Sequence, residues 1–421
     1  RLYAPGRELK TYAGHVADTY ELRPHMRFNT LVEQVDYDDA KKQWNVHRAG
    51  EPPLTCRILV LATGYLSQPQ TPKIPGLSDF RGKIIHTADW DHDYPLAGKR
   101  AAVIGTGATG VQLIPTIAKE LGHLDVYQRT PIWVAPKNDT RISPGVRKLF
   151  ARVPFVQRML RFISDAILEF AMVGAILNNR RFPFMTKIAE LTCLFHLWLC
   201  VKDPETRKKL KPNYPFGCKR PTFSNHYYRA FNRDNVELIT EPIARIEADA
   251  IVTTDGKRRE IDTLVLATGF GLWSRDALHT IRGKGGVELR ELWESTRYHS
   301  YEGISIPGFP NLFYSPSPYA YTGLSYFHTV EGHMKHIERC LGEMKRRGAR
   351  SFEAKPEAAE AYMADVRRDF DKSVFVPGMC TAANSYYFDK HGDPSFVRPM
   401  STITVRRRQK TFSLDDYVFE E

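Results

Sequence analysis

No Gly-x-Ser-x-Gly elbow and no Gly-x-x-x-x-Gly-Lys-Ser/Thr loop occurs in the 421 residues, which removes the serine α/β-hydrolase and P-loop readings. Long apolar runs are missing as well. The best, Leu191 to Val201, is interrupted by His196 and is too short to span a bilayer. The six cysteines, at 56, 193, 200, 218, 340 and 380, show no C-x-x-C spacing. Neither a zinc ribbon nor a thioredoxin-like pair is expected, and a reducing, cytoplasmic setting fits best. What remains is an ordinary globular composition, 42% hydrophobic and 26% charged, in a chain longer than one core usually serves. Two domains are expected.

The net charge of +12 raises the question of nucleic acid, and its distribution answers it. Between Pro144 and Arg220 there are fifteen Lys or Arg against five Asp or Glu, so this segment holds ten of the twelve charges. It lacks the interleaved aromatic and basic residues of a nucleic-acid platform, so no nucleic-acid partner is expected. Met159, Ile163, Ala166, Phe170, Val173 and Leu177 instead recur at helical spacing, with Arg158, Arg161, Asp165 and Glu169 off the stripe. Such a helix either packs its stripe on a core or lies on an anionic membrane surface. Both readings stand at this point.

One segment carries a specific chemistry. Ala101 to Ile104 read as a short apolar strand, followed by Gly105-Thr106-Gly107-Ala108-Thr109-Gly110 and a helical stretch, Val111 to Leu121. Gly105 and Gly107 allow a tight turn and close approach to a pyrophosphate, and Gly110 allows the helix to pack on its strand. The helix N-terminus then aims free amides at the phosphates. The following strand, Leu124 to Gln128, ends on Arg129 rather than on an acid that would bind a ribose hydroxyl of NAD. An arginine there favours the 2′-phosphate of NADPH over a merely solvated strand end.

Upstream, Phe80-x-Gly82-x-x-x-His86-x-x-x-Trp90-Asp91 resembles the fingerprint of Baeyer–Villiger monooxygenases, a branch of the flavin-containing monooxygenases, at every fixed position. The resemblance implies an α/β protein with two Rossmann-like dinucleotide-binding domains, the NADPH domain inserted in the FAD domain. It also implies FAD and NADPH as cofactors, and oxygen from O2 inserted into a small organic substrate, a ketone becoming an ester. In that family the His and Trp of the fingerprint are usually described as coupling the domains. Lys219 and Arg220, in Gly217-Cys218-Lys219-Arg220-Pro221, are similar to the family's Lys-Arg-Pro element. There the lysine contacts the 2′-phosphate and the arginine reaches the flavin, where a cation that never deprotonates can hold charge developing on oxygen. Gln112 and Thr130 match positions that touch the nicotinamide cofactor in relatives. Ser385-Tyr386-Tyr387 falls where many relatives have Ser-Trp-Tyr, and Tyr227 to Asn235 resembles a structural loop. Two other functions remain open: an N- or S-oxygenating flavin monooxygenase, and a silent fragment binding only NADPH.

Leu61-Ala62-Thr63-Gly64 and Leu266-Ala267-Thr268-Gly269 are identical quartets, and in the resembling family such turns mark the crossings between domains. They divide the chain into a first FAD part, residues 1–98, an NADPH domain, residues 99–268, with a helical insertion at 140–215, and an FAD return, residues 269–421. Only one glycine motif is present, so the FAD-binding βαβ unit, on the order of 30 residues, is expected to lie upstream of Arg1. His328, His333 and His336 share one helix, Phe327 to Arg347, with no carboxylate or cysteine placed to complete a metal site, and no metal is expected.

Overall fold

The computed structural model describes residues 3–272, 280–322 and 325–421. Helix α1 (Gly6–Thr19) leads into a meander of β1 (Val32–Asp38), β2 (Gln43–Arg48) and β3 (Glu51–Cys56), then β4 (Leu59–Leu61) and β5 (Lys83–His86). The nucleotide unit follows with β6 (Arg100–Ile104), α2 (Ala108–Ile117), β7 (His123–Tyr127) and the short β8 (Val134–Ala135). The helical excursion comprises α3 (Pro144–Arg152), α4 (Pro154–Met172), α5 (Pro183–Cys200) and α6 (Pro204–Leu210). After it come β9 (Thr222–Phe223), α7 (Tyr227–Ala230), β10 (Val236–Ile239), β11 (Ile243–Ile246), β12 (Ala250–Thr253), β13 (Arg258–Glu260) and β14 (Thr263–Leu266). The remainder holds β15 (Thr280–Arg282), α8 (Leu289–Ser295), β16 (Leu312–Tyr314), α9 (Tyr326–Arg347), β17 (Ser351–Ala354), α10 (Pro356–Phe370), α11 (Thr402–Thr411) and β18 (Tyr417–Glu420).

The nucleotide sheet has the order β10-β7-β6-β14-β5, and every pair in it is parallel. Such a sheet is covered on both faces, and its strands show this. On β6, Ala101 and Val103 face one apolar cluster with Val111 and Ile114 of α2, while Ala102 faces another with Tyr127, Leu264 and Ile251. A second sheet, β15-β1-β2-β3, and the pair β4 with β16 belong to the other body, whose core extends through α9 and α10.

The expected boundary at residue 98 cuts through a sheet. β5 lies inside the stretch assigned to FAD, yet it pairs with β14 from Lys83↔Thr263 to His86↔Leu266. The pairing partner is some 180 residues downstream, so no local pattern announces it. Between the bodies, the two crossings run side by side: Gln70 N donates to Gly269 O at 2.9 Å, and Gly271 N donates to Gln68 O at 2.9 Å.

The stripe on α4 does not pack on a core. None of its residues is buried, and Phe162 and Phe170 are each 72% exposed; burial begins only past its end, at Gly174 to Leu177. On α5, Phe184, Ile188, Leu191, Phe195, Trp198 and Leu199 are exposed while Cys193, His196, Leu197 and Cys200 turn inward. α4 touches the second body through Glu169, which accepts a hydrogen bond from Thr402 N at 2.5 Å, and through Asp165, 3.7 Å from His328. Among the described residues no helix is long and apolar enough to cross a membrane.

Candidate active site

The glycine turn has the geometry its sequence demands. Gly105 has φ +109°, and a Cβ there would lie 2.5 Å from Ala267 O. A Cβ on Gly110 would lie 2.5 Å from Gly105 O, so any side chain would drive α2 away from β6. Gly107, by contrast, opens onto free space at the start of α2, with Ala108 and Thr109 exposed in the first helical turn. A phosphate can approach these backbone amides directly. Thr106 is buried behind the turn, 3.4 Å from Thr130 O, and braces it. Gln112 is exposed, and its side-chain amide donates to Ala108 O at 3.0 Å.

Arg129 emerges, exposed, just past the end of β7. Thr130 is buried, and its Oγ1 accepts a 2.9 Å hydrogen bond from Asn384 of the second body. Lys219 is half-buried nearby, and burial together with the Arg129 charge pushes its amine down to about 8. Two cations that destabilise one another beside an open helix N-terminus fit a dianionic ligand group, and the 2′-phosphate of NADPH is one. Arg220 points toward the second body: its Nη1 donates to the Tyr321 hydroxyl at 2.5 Å, and its guanidinium lies 5.5 Å from that ring's centre. Tyr386 also bears on it electrostatically, so the departure from Ser-Trp-Tyr leaves an aromatic hydroxyl beside the arginine.

The fingerprint residues lie along β5 and the turns around it. Phe80 is buried under the β6–β14 side of the sheet, and a Cβ on Gly82 would stand 2.4 Å from Asp262 O and 2.5 Å from the Phe80 ring. His86 closes β5. Its Nδ1 accepts from Ala88 N at 3.1 Å, its ring meets Phe270 edge-on at 6.3 Å, and burial lowers its pKa. Both crossings therefore run past His86. Trp90 is half-buried against the core of α2, and Asp91 accepts from Lys83 Nζ at 2.6 Å and from Asp93 N at 3.1 Å. These contacts set most of the fingerprint along the nucleotide sheet, with His86 meeting the second crossing at Phe270.

Several residues that sequence reasoning passed over join the site. Tyr321 and Asn384 come from loops of the second body with no motif of their own. Cys218 and Cys380 form a disulfide, of which the cysteine spacing gave no sign; 162 residues separate them, and no spacing rule reaches that far. The helix histidines are engaged within the protein: His333 shares a 2.8 Å hydrogen bond with Ser315, and His336 contacts Gln409 at 2.8 Å and the Tyr417 hydroxyl at 2.6 Å. Burial drives both down to about 3, so they stay neutral. His123, Asp125 and Glu237 approach one another closely enough for a metal ion, but Glu237 is already held by Arg259 at 2.9 Å.

A glycine turn for one dinucleotide, paired crossings to a second α/β body, and a Lys-Arg element between them define a two-domain pyridine-nucleotide flavoprotein. Residues 1–164 match the family model described as pyridine nucleotide-disulphide oxidoreductase. The chain is 36% identical over 383 residues to a Baeyer–Villiger monooxygenase of Pseudomonas aeruginosa, covering 90% of this chain and 71% of that one. It is 32% identical to another from Streptomyces coelicolor, covering 99% and 79%. The solved structure of cyclohexanone monooxygenase from Rhodococcus sp. Phi1 bound to NADP+ superposes with a TM-score of 0.86 at 26% identity, over all of this chain and 85% of that one. Oxidized steroid monooxygenase bound to NADP gives 0.83 at 29% identity, covering 100% and 86%. The chain belongs to the Baeyer–Villiger monooxygenases, and it is an NADPH- and FAD-dependent enzyme of that type.

Proposed function

We propose that this chain oxidises a ketone to an ester with Arg220 as the catalytic residue and with Arg129, Lys219 and the turn Gly105 to Gly110 binding NADPH. The observation that carries the reading is the position of Arg220, anchored to Tyr321 of one body while Lys219 beside it faces Arg129 of the other. FAD, when bound, would supply the hydride acceptor for NADPH and the centre that activates O2. The chain's own residues do the rest. Arg129 and Lys219 hold the phosphate, the amides at the start of α2 hold the pyrophosphate, and Arg220 supplies a fixed positive charge where charge develops on oxygen. Thr130 and Gln112 line the nicotinamide side, and His86, Trp90 and Asp91 transmit the position of one body to the other. Residues 269–421 complete the FAD side. The yellow holoprotein, given NADPH, air and a panel of cyclic and linear ketones, should form esters. Sulfoxide or N-oxide products without ester would reassign it to the N- or S-oxygenating branch, and nucleotide binding without flavin would leave a silent binding protein.

We further propose that α4 and α5 rest on the anionic, cytoplasmic leaflet of a membrane. Support comes from the exposed apolar rows of both helices and from the ten excess positive charges of their segment, since apolar insertion and attraction to anionic lipid reinforce one another. Flotation with phosphatidylglycerol vesicles, weakened by salt and by Phe162→Glu with Phe195→Glu, is the expected result. Equal flotation with pure phosphatidylcholine, or lipid-independent dimerisation lost in the same variant, would overturn it.

A further inference from the structure

The disulfide between Cys218 and Cys380 sits where the two bodies meet, with Cα atoms 5.2 Å apart. Cys218 directly precedes Lys219 and Arg220. On the other strand of the tether, Cys380 stands four residues before Asn384, whose side chain reaches Thr130, and six before Tyr386, which bears on Arg220. The segment around Cys380 is otherwise held by short local turns, Met379 N to Val376 O at 3.2 Å and Ala383 N to Cys380 O at 3.0 Å, and Gly378, Met379, Thr381 and Ala382 are exposed. Cys218, in contrast, is fully buried beside Gly217, whose φ of +100° fixes the turn into the Lys-Arg pair.

We infer that Cys218 and Cys380 are positioning residues for the reaction: their bond holds the Tyr386 and Asn384 segment against Arg220 and Thr130, and its making and breaking tunes nucleotide binding and oxygen transfer. The inference rests on the proposed role of Arg220. Closing the bond removes one proton and one electron from each thiol; hydrogen peroxide accepts both pairs, its O–O bond breaks, and two waters leave. A dithiol reductant reverses the step and is itself oxidised to a disulfide. The four other cysteines are unpaired among the described residues, and burial pushes Cys193 and Cys340 up to about 12, which leaves those two with almost no thiolate. Cys218 and Cys380 alone are brought together, so among the described cysteines only these two close a bond with one another. In a reducing compartment a disulfide of this kind is transient and responsive rather than a permanent staple.

The test uses the FAD-loaded protein. Thiol titration in denaturant should find two fewer free thiols after peroxide treatment than after reduction. Reduction should raise the NADPH KM and lower ester formed per NADPH consumed, each by about threefold to tenfold as preorganisation is lost, while the rate of flavin reduction at saturating NADPH stays the same. Peroxide should restore the reduced wild type. Cys218→Ser with Cys380→Ser, and the corresponding double alanine variant in case buried hydroxyls disturb folding, should behave as the reduced protein and ignore peroxide. A thiol count unchanged by peroxide, or the same KM and coupling in both redox states, would overturn the inference. If Arg220→Ala kept full ester formation while the redox response of KM remained, the Arg220 assignment would fail and the tether would stand as a determinant of nucleotide binding alone.

Discussion

Asn384 donates a 2.9 Å hydrogen bond to Thr130 Oγ1, joining residues 254 positions apart at the rim of the nucleotide turn. Thr130 follows Arg129, so this bond fixes the backbone from which Arg129, proposed above to bind the phosphate, leaves the sheet. Asn384→Ala removes one neutral hydrogen bond, worth about 0.5–1.5 kcal/mol. The expected outcome is an NADPH KM raised roughly two- to tenfold with kcat nearly unchanged. A kcat loss equal to the loss in kcat/KM would show that the bond matters in the chemical step instead.

Arg129 is expected to decide between the two nicotinamide dinucleotides. Arg129→Ala should lose about 1.5–3 kcal/mol of NADPH affinity, the range of a hydrogen bond to a charged group, and leave NADH binding almost untouched. Titration calorimetry with both nucleotides measures this directly. Equal affinities in the unmodified protein would contradict it.

Lys219 should give NADPH binding a pH dependence of its own. Burial, aided by Arg129, holds its amine at about 8, below the ordinary lysine value, so the charged form is disfavoured in the folded protein. That penalty is fully present below pH 8 and is relieved as pH rises from there toward the unfolded value. For the ligand the sign reverses, because a dianionic phosphate needs the ammonium: affinity is flat from about pH 6, where the 2′-phosphate has lost its second proton, to about pH 8 and weakens above it, by up to about tenfold per pH unit. NADH should show no such slope, and Lys219→Met should abolish it for NADPH.

Arg220→Ala should leave flavin reduction by NADPH largely intact and abolish ester formation, because the lost interaction is made only after oxygen has reacted. Arg220→Lys should rescue poorly, since a lysine offers a shorter, better hydrated point charge that deprotonates when desolvated. Stopped-flow measurement of the two half-reactions separates the steps. Near-normal ester formation by the alanine variant would make Arg220 a bystander.

The nucleotide turn was legible because its constraints are local. A backbone at φ +109° pressed against Ala267 O leaves only glycine at 105, and the strand before it and helix after it are short-range patterns. Arg129 was legible for the same reason, as the next strand's end. The fingerprint was visible only through resemblance, since nothing in the residue types of Phe80, His86 or Trp90 alone distinguishes them from packing groups. What local reasoning missed lay in long-range pairing. β5 gives no sign that it will join β14, and β3 hides behind Pro52-Pro53, which suppress a strand reading although an edge strand tolerates them. Tyr321 and Cys380 reach the site from loops whose sequences carry turn residues and no motif, while Cys218 and Asn384 sit beside the Lys-Arg and Ser-Tyr-Tyr motifs without a role that those motifs assign.

The side-by-side crossings at residues 68–70 and 269–271 have a mechanical consequence. A body joined to its neighbour through two adjacent, mutually hydrogen-bonded chains retains one easy rotation, about the line those chains define, and resists sliding and twisting. His86 sits on that line, against Phe270. The Cys218–Cys380 bond ties the two bodies at a separate place. The molecule thus has a pivot at the crossings and a separate covalent tie, and on the inference drawn above, reducing that tie frees the rotation the crossings allow.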